Sequence, residues 1–430
     1  MMTAVTTTYR RVLALSGPLL PVVSFLGRLP TAMCQLGSVL LVAETSGSLT
    51  TAGLVGGALA AGQTVAGPLI GRLADRHGQR PVVLIACWVN ALAVATLVAA
   101  ALARTATPPL ALLGLLAGAS VPQIGPLART RLVALAHRAR ADDRLVSAAL
   151  SLEGTLDEVS FVLGPALVGL AATLVHPAVA LGLAAVLLAV CGSAFALHPT
   201  AVAVRPVVAR PAADRSPRTA RPARTRMPRA VHAMRVSMAL QGAMFGACQA
   251  GITALTERLH QPAQAGLVYA AMGVMSAVAG LSLALVPARI GLPARWRAAA
   301  VALIVLSVPL LFVRSMGALY LVVVVLGVAF APHLITLFGL TERLVPAARL
   351  AESMAFLTSA VVGGQAVALA LSGRLADMYG PSAAFAVAVG AAVLVLVVAL
   401  TTRAGHRPTA PLSVSPAGPE EAAADRAQTS

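Results

Sequence analysis

Three carboxylates, Glu153, Asp157 and Glu158, interrupt a stretch from 145 to 175 that is otherwise mostly apolar, and Arg28 interrupts another from 18 to 43. Inside hydrocarbon each such charge costs about 2.5–3.5 kcal/mol on insertion scales, so each needs a compensating role. Residues 153 and 157 are four apart and share one face of a helix, whereas 158 is turned about 100° from 157. Arg28 can pair with one of these acids, which leaves at least one carboxylate without a fixed cation, able to exchange a proton or hold a cationic group. Asp157 is the strongest single candidate because it lies deepest on the Glu153 side. A purely structural arrangement is the alternative, with the acids paired to Arg28 and to Arg129 or Arg131, or with Glu153 among headgroups. His333 follows Pro332 in a later apolar stretch. An imidazole there could bind a ligand or relay protons, or serve as a hydrogen-bonded structural group. Gln249, Gln35, Asn90, Gln123 and Gln365 are uncharged polar candidates.

The elements that carry these groups follow from composition. The 430 residues are 58% hydrophobic and only 11% charged, against about 25% charge in soluble domains, and the mean hydropathy is +0.86. A membrane-spanning helix needs about 20 mainly apolar residues. That ruler gives twelve candidate spans, near 18–43, 49–71, 81–103, 109–130, 145–175 and 177–197, then 233–255, 265–286, 297–313, 317–340, 352–373 and 382–402. Bare backbone polar groups are not tolerated in lipid, so the spans are helices or a closed barrel. Runs such as Leu321-Val-Val-Val-Val-Leu lack the alternation of barrel strands, which leaves helices.

The expected organisation is an all-α membrane protein of two pseudo-symmetric six-helix bundles, 1–200 and 233–402. They are joined by a basic linker over 201–232 and followed by a disordered tail over 403–430. The N-terminal residues lead into the first apolar run and read as a signal-anchor rather than a removable signal. Of the 32 basic residues all are Arg, and only Arg104, Arg258, Arg314 and Arg374 fall outside when both termini are placed in the cytoplasm. Positive residues concentrate on the cytoplasmic side, which selects that orientation in the cell (inner) membrane and explains the net charge of +17 without nucleic acid. With no Lys, a Walker A loop and lysine Schiff-base chemistry are excluded. Cys34, Cys87, Cys191 and Cys248 have no metal-ligand or redox spacing and read as apolar packing residues. No metal, cofactor or enzymatic nucleophile is expected.

Between the second and third spans the chain reads Gly71-Arg-Leu-Ala-Asp-Arg-His-Gly-Gln-Arg-Pro. This resembles the signature loop G-x-L-a-D-r-x-G-r-k of the major facilitator superfamily, matching at Gly71, Leu73, Asp75, Arg76, Gly78 and Arg80 and departing at Gln79. The resemblance implies a conformational latch in which Asp75 sits near the N-terminus of the eleventh helix, around Arg349 to Glu352. The alternative is a charged turn that only sets topology. A fragment of the same signature returns at Gly373-Arg-Leu-Ala-Asp-Met-Tyr-Gly on the outer side, as a repeat remnant or an outer clasp. In the fifth span, Gly164, Pro165 and Gly169 resemble part of the g-x-x-x-G-P-x-x-G-G motif of drug–proton exporters, or form an ordinary packing element. The arginine that many exporters carry in the fourth span, before a glycine such as Gly118, is missing.

The family likeness implies a monomeric secondary transporter working by alternating access, with protons and a small organic molecule as partners and efflux as the favoured direction. A proton-coupled metabolite importer, or a non-transporting membrane sensor or partner protein, are the alternatives.

Overall fold

The computed structural model describes residues 2–204, 227–283, 286 and 289–402, and every regular element among them is helical. Eleven helical segments among these residues are long and apolar enough to cross a membrane. The first six segments are α2 (Leu19–Ser46), α3 (Leu49–His77), α4 (Gln79–Leu102), the pair α5 (Thr107–Ala119) and α6 (Ile124–Arg138), α7 (Asp143–Leu174), and α8 (Pro177–Leu187) continued by α9 (Ser193–Leu197). The rest are α11 (Ala265–Ser282), α12 (Leu292–Ser307), α13 (Met316–Leu344), α14 (Leu350–Tyr379) and α15 (Pro381–Thr401). A helix between the two sets, α10 (Arg229–Arg258), has 30 residues, ample to cross a bilayer at about 1.5 Å per residue. Arg235, Gln241 and Gln249 make it more polar than the others. It packs against α14 and α15 and buries Val231, Met234, Met238 and Met244.

Three departures from the sequence reading have local causes. The N-terminus does not run straight into the first span. Met2–Ser16 forms a separate helix, α1, and α2 starts only after Gly17 and Pro18, because proline has no amide hydrogen to continue the ladder. The fourth span is broken at residues 120–123 rather than continuous, with Gln123 in the left-handed region at φ 55°. Pro122 removes a donor there and disfavours helical geometry at Val121. The expected linker is shorter at both ends. Residues 199–203 form a 3₁₀ turn tied to α6 through Arg131 to Thr200 and Arg138 to the Val202 carbonyl. At the other end α10 already begins at Arg229, since Val231, Met234 and Met238 recur at helical spacing and are fully buried. Residues 205–226 and the tail 403–430 lie outside the described residues.

Helices α2–α9 form one half and α10–α15 the other, and they meet where α3 packs on α14 and α7 on α11. The α3–α4 turn, the α6–α7 turn and the α13–α14 turn all lie on one side, called here the Asp75 face. Asp142 starts α7 on that side by accepting the Leu145 amide at 2.9 Å, the usual way a carboxylate satisfies an orphan donor of the first turn. On the same face α1 lies against α6 and α7 with Val12 fully buried. The Tyr9 hydroxyl donates to the Leu281 carbonyl at 2.9 Å, near the end of α11, so α1 ties the two halves together. Burial pushes this hydroxyl up to about 12, which keeps it a donor at any physiological pH. Tyr9→Phe is therefore expected to lower stability by about 0.5–1.5 kcal/mol, read as a small drop in melting temperature of the purified protein in detergent. An unchanged melting temperature would show that α1 is held by apolar contacts alone.

Candidate functional site

The half-way depth of the N-terminal half holds a cluster of buried charges. Arg28, the tenth residue of α2, is only 5% exposed and points at α7. Its Nη2 meets Glu153 Oε2 at 2.5 Å and its Nη1 meets Asp157 Oδ1 at 2.7 Å. Nη1 also donates to the Glu153 carbonyl at 3.1 Å, Nε to the Ser24 carbonyl at 3.2 Å, and Nη2 to the Ser24 hydroxyl. The planar five-donor fork of arginine suits such a split between two carboxylates. Helical spacing explains the pairing, since 153 and 157 stand one turn apart on the face of α7 that touches α2.

Asp157 also receives Arg129 of α6 through Nη2. Arg129 is fully buried and its guanidinium carbon lies 3.8 Å from the ring centroid of Phe338 on α13, across the junction of the halves. Among the described residues its Nε and Nη1 have no hydrogen-bond acceptor. The sequence placed Arg129 near the end of the fourth span; the structure carries α6 on to Arg138, which puts Arg129 deeper, level with Asp157. Gly125 lies beside that carboxylate, so close that a Cβ there would stand 2.8 Å from Asp157 Oδ1. Arg131, two residues on, points the opposite way round the helix. It bonds Gln79 Oε1 at 3.0 and 3.1 Å and the Phe195 carbonyl at 2.9 Å, and it stacks on the Phe195 ring.

Glu158 is turned away from this network. It sits near the midpoint of α7, is 8% exposed, and faces Ser276 and Tyr269 of α11. Among the described residues it forms no ion pair, so it is the acid left without a contacting cation. Asp157, by contrast, is held by two guanidinium groups.

The remaining candidates are placed apart from the cluster. His333 is fully buried in α13, with its Nδ1 2.6 Å from Gln241 Oε1, while Gln241 Nε2 donates to the Phe330 carbonyl at 3.1 Å. That geometry makes Nδ1 the protonated nitrogen and leaves Nε2 without a partner. Gln249 accepts from Gln365 Nε2 at 3.4 Å, and Gln35 donates to Gln63 at 3.3 Å. Asn90 bonds the Ala117 carbonyl and the Ser120 hydroxyl beside the break in the fourth span.

The signature loop ends α3 and begins α4. Gly78 takes φ 88°, a value that side-chain-bearing residues rarely adopt. Asp75, 5% exposed, accepts the backbone amides of Ala351 at 3.1 Å and Glu352 at 2.9 Å, at the start of α14. A carboxylate at a helix N-terminus satisfies orphan donors and complements the helix dipole. Gly71 permits the approach, because a Cβ there would stand 2.6 Å from the Ala351 carbonyl oxygen. Arg349 braces the same turn through Glu352 at 3.0 and 3.1 Å. Leu73, Arg76 and Arg80 are exposed. Gln79, where the signature departs, is buried and holds both Arg131 and Thr130. The second fragment keeps the backbone turn, with Gly380 at φ 89° between α14 and α15. Asp377 is exposed, and among the described residues it makes no hydrogen bond or ion pair that would form a clasp. In α7, Gly164 packs against Ala32 and Met33 of α2, Pro165 lies within the helix, and nothing lies within contact of a Cβ at Gly169.

Two further ion pairs join the halves at the Asp75 face, Arg343 with Asp143 at 2.9 Å and His137 with Glu342 at 3.3 Å. Among the described residues, every polar contact between the halves lies on that face or at mid-depth.

The chain is thus a multi-pass helical membrane protein with a charge cluster at mid-depth, beside the junction of two packed halves. The Major Facilitator Superfamily matches residues 22–350, and the chain belongs to that superfamily. No curated protein matches the sequence significantly. Among solved structures, the human organic anion transporter MFSD10 (TETRAN) aligns with TM-score 0.61 at 20% identity, over 91% of this chain and 99% of that one. A bacterial homologue of the iron transporter ferroportin, in an outward-facing state, aligns with TM-score 0.68 at 17% identity over 89% and 98%. The nucleoside transporter NupG aligns with TM-score 0.58 at 18% identity over 89% and 98%. At these identities the likeness is one of fold.

Proposed function

We propose that this chain is a monomeric twelve-helix secondary transporter of the inner membrane, with α10 as its seventh span, that extrudes a small organic molecule in exchange for protons. The arginine distribution supports placing the Asp75 face and both termini in the cytoplasm. Rocking of the two six-helix bundles about the mid-depth site would expose it to each side in turn.

The observation that carries the reading is Glu158. A buried charge without a partner is costly, and Glu158 is a buried carboxylate at mid-helix, facing the other bundle, with no contacting cation. A proton, or a cationic centre on the substrate, is the partner it lacks. If the two compete for one carboxylate, proton entry and substrate exit are linked without further machinery. Asp157, the first choice on sequence spacing, is already occupied by Arg28 and Arg129 and serves in this reading to hold them.

The test is transport of a panel of cationic and neutral organic compounds by proteoliposomes, with and without an imposed pH gradient. Glu158→Gln, which has the shape of the protonated acid but no charge, is expected to abolish pH-driven extrusion and to weaken gradient-free exchange of cationic compounds, while neutral compounds, if carried, still exchange. Full pH-driven extrusion by this variant would sink the assignment. Accumulation rather than extrusion would instead mark an importer, and the absence of any movement by an intact protein would mark a sensor.

A further inference from the structure

Arg129 is the group that links the charge cluster to the opposite half. Its guanidinium is completely buried, one nitrogen is committed to Asp157, and the other two find no oxygen. The face of Phe338 takes their place at 3.8 Å, and a desolvated cation over an aromatic face is a substantial attraction. Phe338 is itself 2% exposed and rides on α13, whose end also carries Glu342 and Arg343 to the other half. Arg129 thus belongs to one half and its ring partner to the other. Separating the halves at the Asp75 face must therefore strip the ring from the cation.

Glu158 follows Asp157 directly in α7, and Arg129 is the guanidinium whose charge reaches it, while Asp157 adds a like charge. From α11 it is faced by Tyr269 and Ser276, neither of which supplies a cation. We infer that Phe338 is a positioning residue that holds Arg129 away from Glu158 while the Asp75 face is closed, and releases it when that face opens.

The inference rests on the reading of Glu158 as the proton carrier and supplies its timing. With the Asp75 face closed, Glu158 takes a proton from water on the opposite side onto its carboxylate. As α13 withdraws, the Nε–H and Nη1–H of Arg129 lose their ring acceptor and turn to the carboxylate beside them. Glu158 then gives its proton to water on the Asp75 side. One proton crosses per cycle, and Arg129 stays charged throughout.

The experiment is infrared titration of the full-length protein in lipid, following the protonated-carboxyl band that Glu158→Gln removes. Phe338→Leu keeps an apolar side chain but has no aromatic face. It is expected to move the midpoint of that band down by about one pH unit, the tenfold change that loss of a desolvated cation–π contact supplies. Phe338→Tyr, which keeps the face, should retain the wild-type midpoint. Hydrogen exchange at the ends of α6 and α13 should rise in the leucine variant alone. A folded Phe338→Leu protein with the wild-type midpoint overturns the inference. Where that variant does not fold, Phe338→Met is read by the same criterion. If no band in the wild type depends on Glu158, the proton-carrier assignment itself falls and this inference with it. A Glu158 band that titrates normally in every Phe338 variant removes the inference and leaves the assignment standing.

Discussion

Arg28→Ala is expected to cost about 3–5 kcal/mol, the penalty for removing one partner of a buried ion pair. The reason lies in what remains. Glu153 is 1% exposed and loses the one cation that contacts it among the described residues, and its Oε1 is already without a hydrogen-bond partner there. Asp157 keeps Arg129, so the uncompensated charge falls on Glu153 rather than on the whole cluster. Arg28 also anchors the Ser24 hydroxyl and the Glu153 carbonyl, so α2 and α7 lose their polar contact together. Domains are stable by only about 5–15 kcal/mol, and a loss of this size should appear as poor accumulation in the membrane and a large drop in melting temperature in detergent. The double variant Arg28→Ala with Glu153→Gln removes the orphaned charge and should recover a good part of the loss. Arg28→Lys should recover less, because an ammonium cannot present a flat fork to two carboxylates on one helix face. Melting curves of the four proteins decide the matter. Equal stability of wild type and Arg28→Ala would show that Glu153 finds a proton or water in place of the cation.

Much of this arrangement could be read from the residues before any coordinates. Charges in apolar runs are few enough that Arg28, Glu153, Asp157 and Glu158 announce themselves, and helical spacing separates 158 from the other two. The resemblance to the family signature likewise implied a contact at the start of the eleventh span, where Asp75 meets the amides of Ala351 and Glu352. What could not be read is which way a side chain faces when two lie close in sequence. Arg129 and Arg131 look interchangeable as partners for the acids. Two residues on a helix are about 200° apart, and only packing against α7 on one side and α4 on the other assigns Asp157 to the first and Gln79 to the second. Phe338 was invisible for a different reason. One phenylalanine in an apolar helix carries no signal of the cation it will cover in the other half. The break in the fourth span was legible in principle from Ser120, Pro122 and Gln123, but the predominantly apolar residues on both sides gave the length of a single span. The separate helix α1 was hidden in the same way by the apolar residues that surround Gly17 and Pro18.

The latch gives the second large effect. Asp75 accepts two backbone amides of α14 from α3, so it joins the halves in the conformation seen here and must release when they part at that face. Asp75→Asn keeps the shape but removes the charge that favours the helix N-terminus, worth about 0.3–1 kcal/mol and up to about 2 when partly buried. It also turns one acceptor into a donor aimed at an amide hydrogen, so one of the two hydrogen bonds is lost, at about 1–3 kcal/mol for a buried group left unsatisfied. The closed form of the Asp75 face should therefore lose about 2–3 kcal/mol relative to the open form, a shift of roughly 30- to 150-fold in the equilibrium between them. Insertion and folding should be little affected, since the two hydrogen bonds join one half to the other rather than elements within a half. The variant should therefore reach the membrane at normal levels, expose the ends of α3 and α14 to hydrogen exchange, and turn over slowly because the return to the closed form is disfavoured. Arg349→Ala, which removes the brace on Glu352 but leaves both amide bonds in place, should show the same direction with a much smaller effect. Normal turnover and unchanged exchange in Asp75→Asn would show that the loop only sets orientation in the membrane.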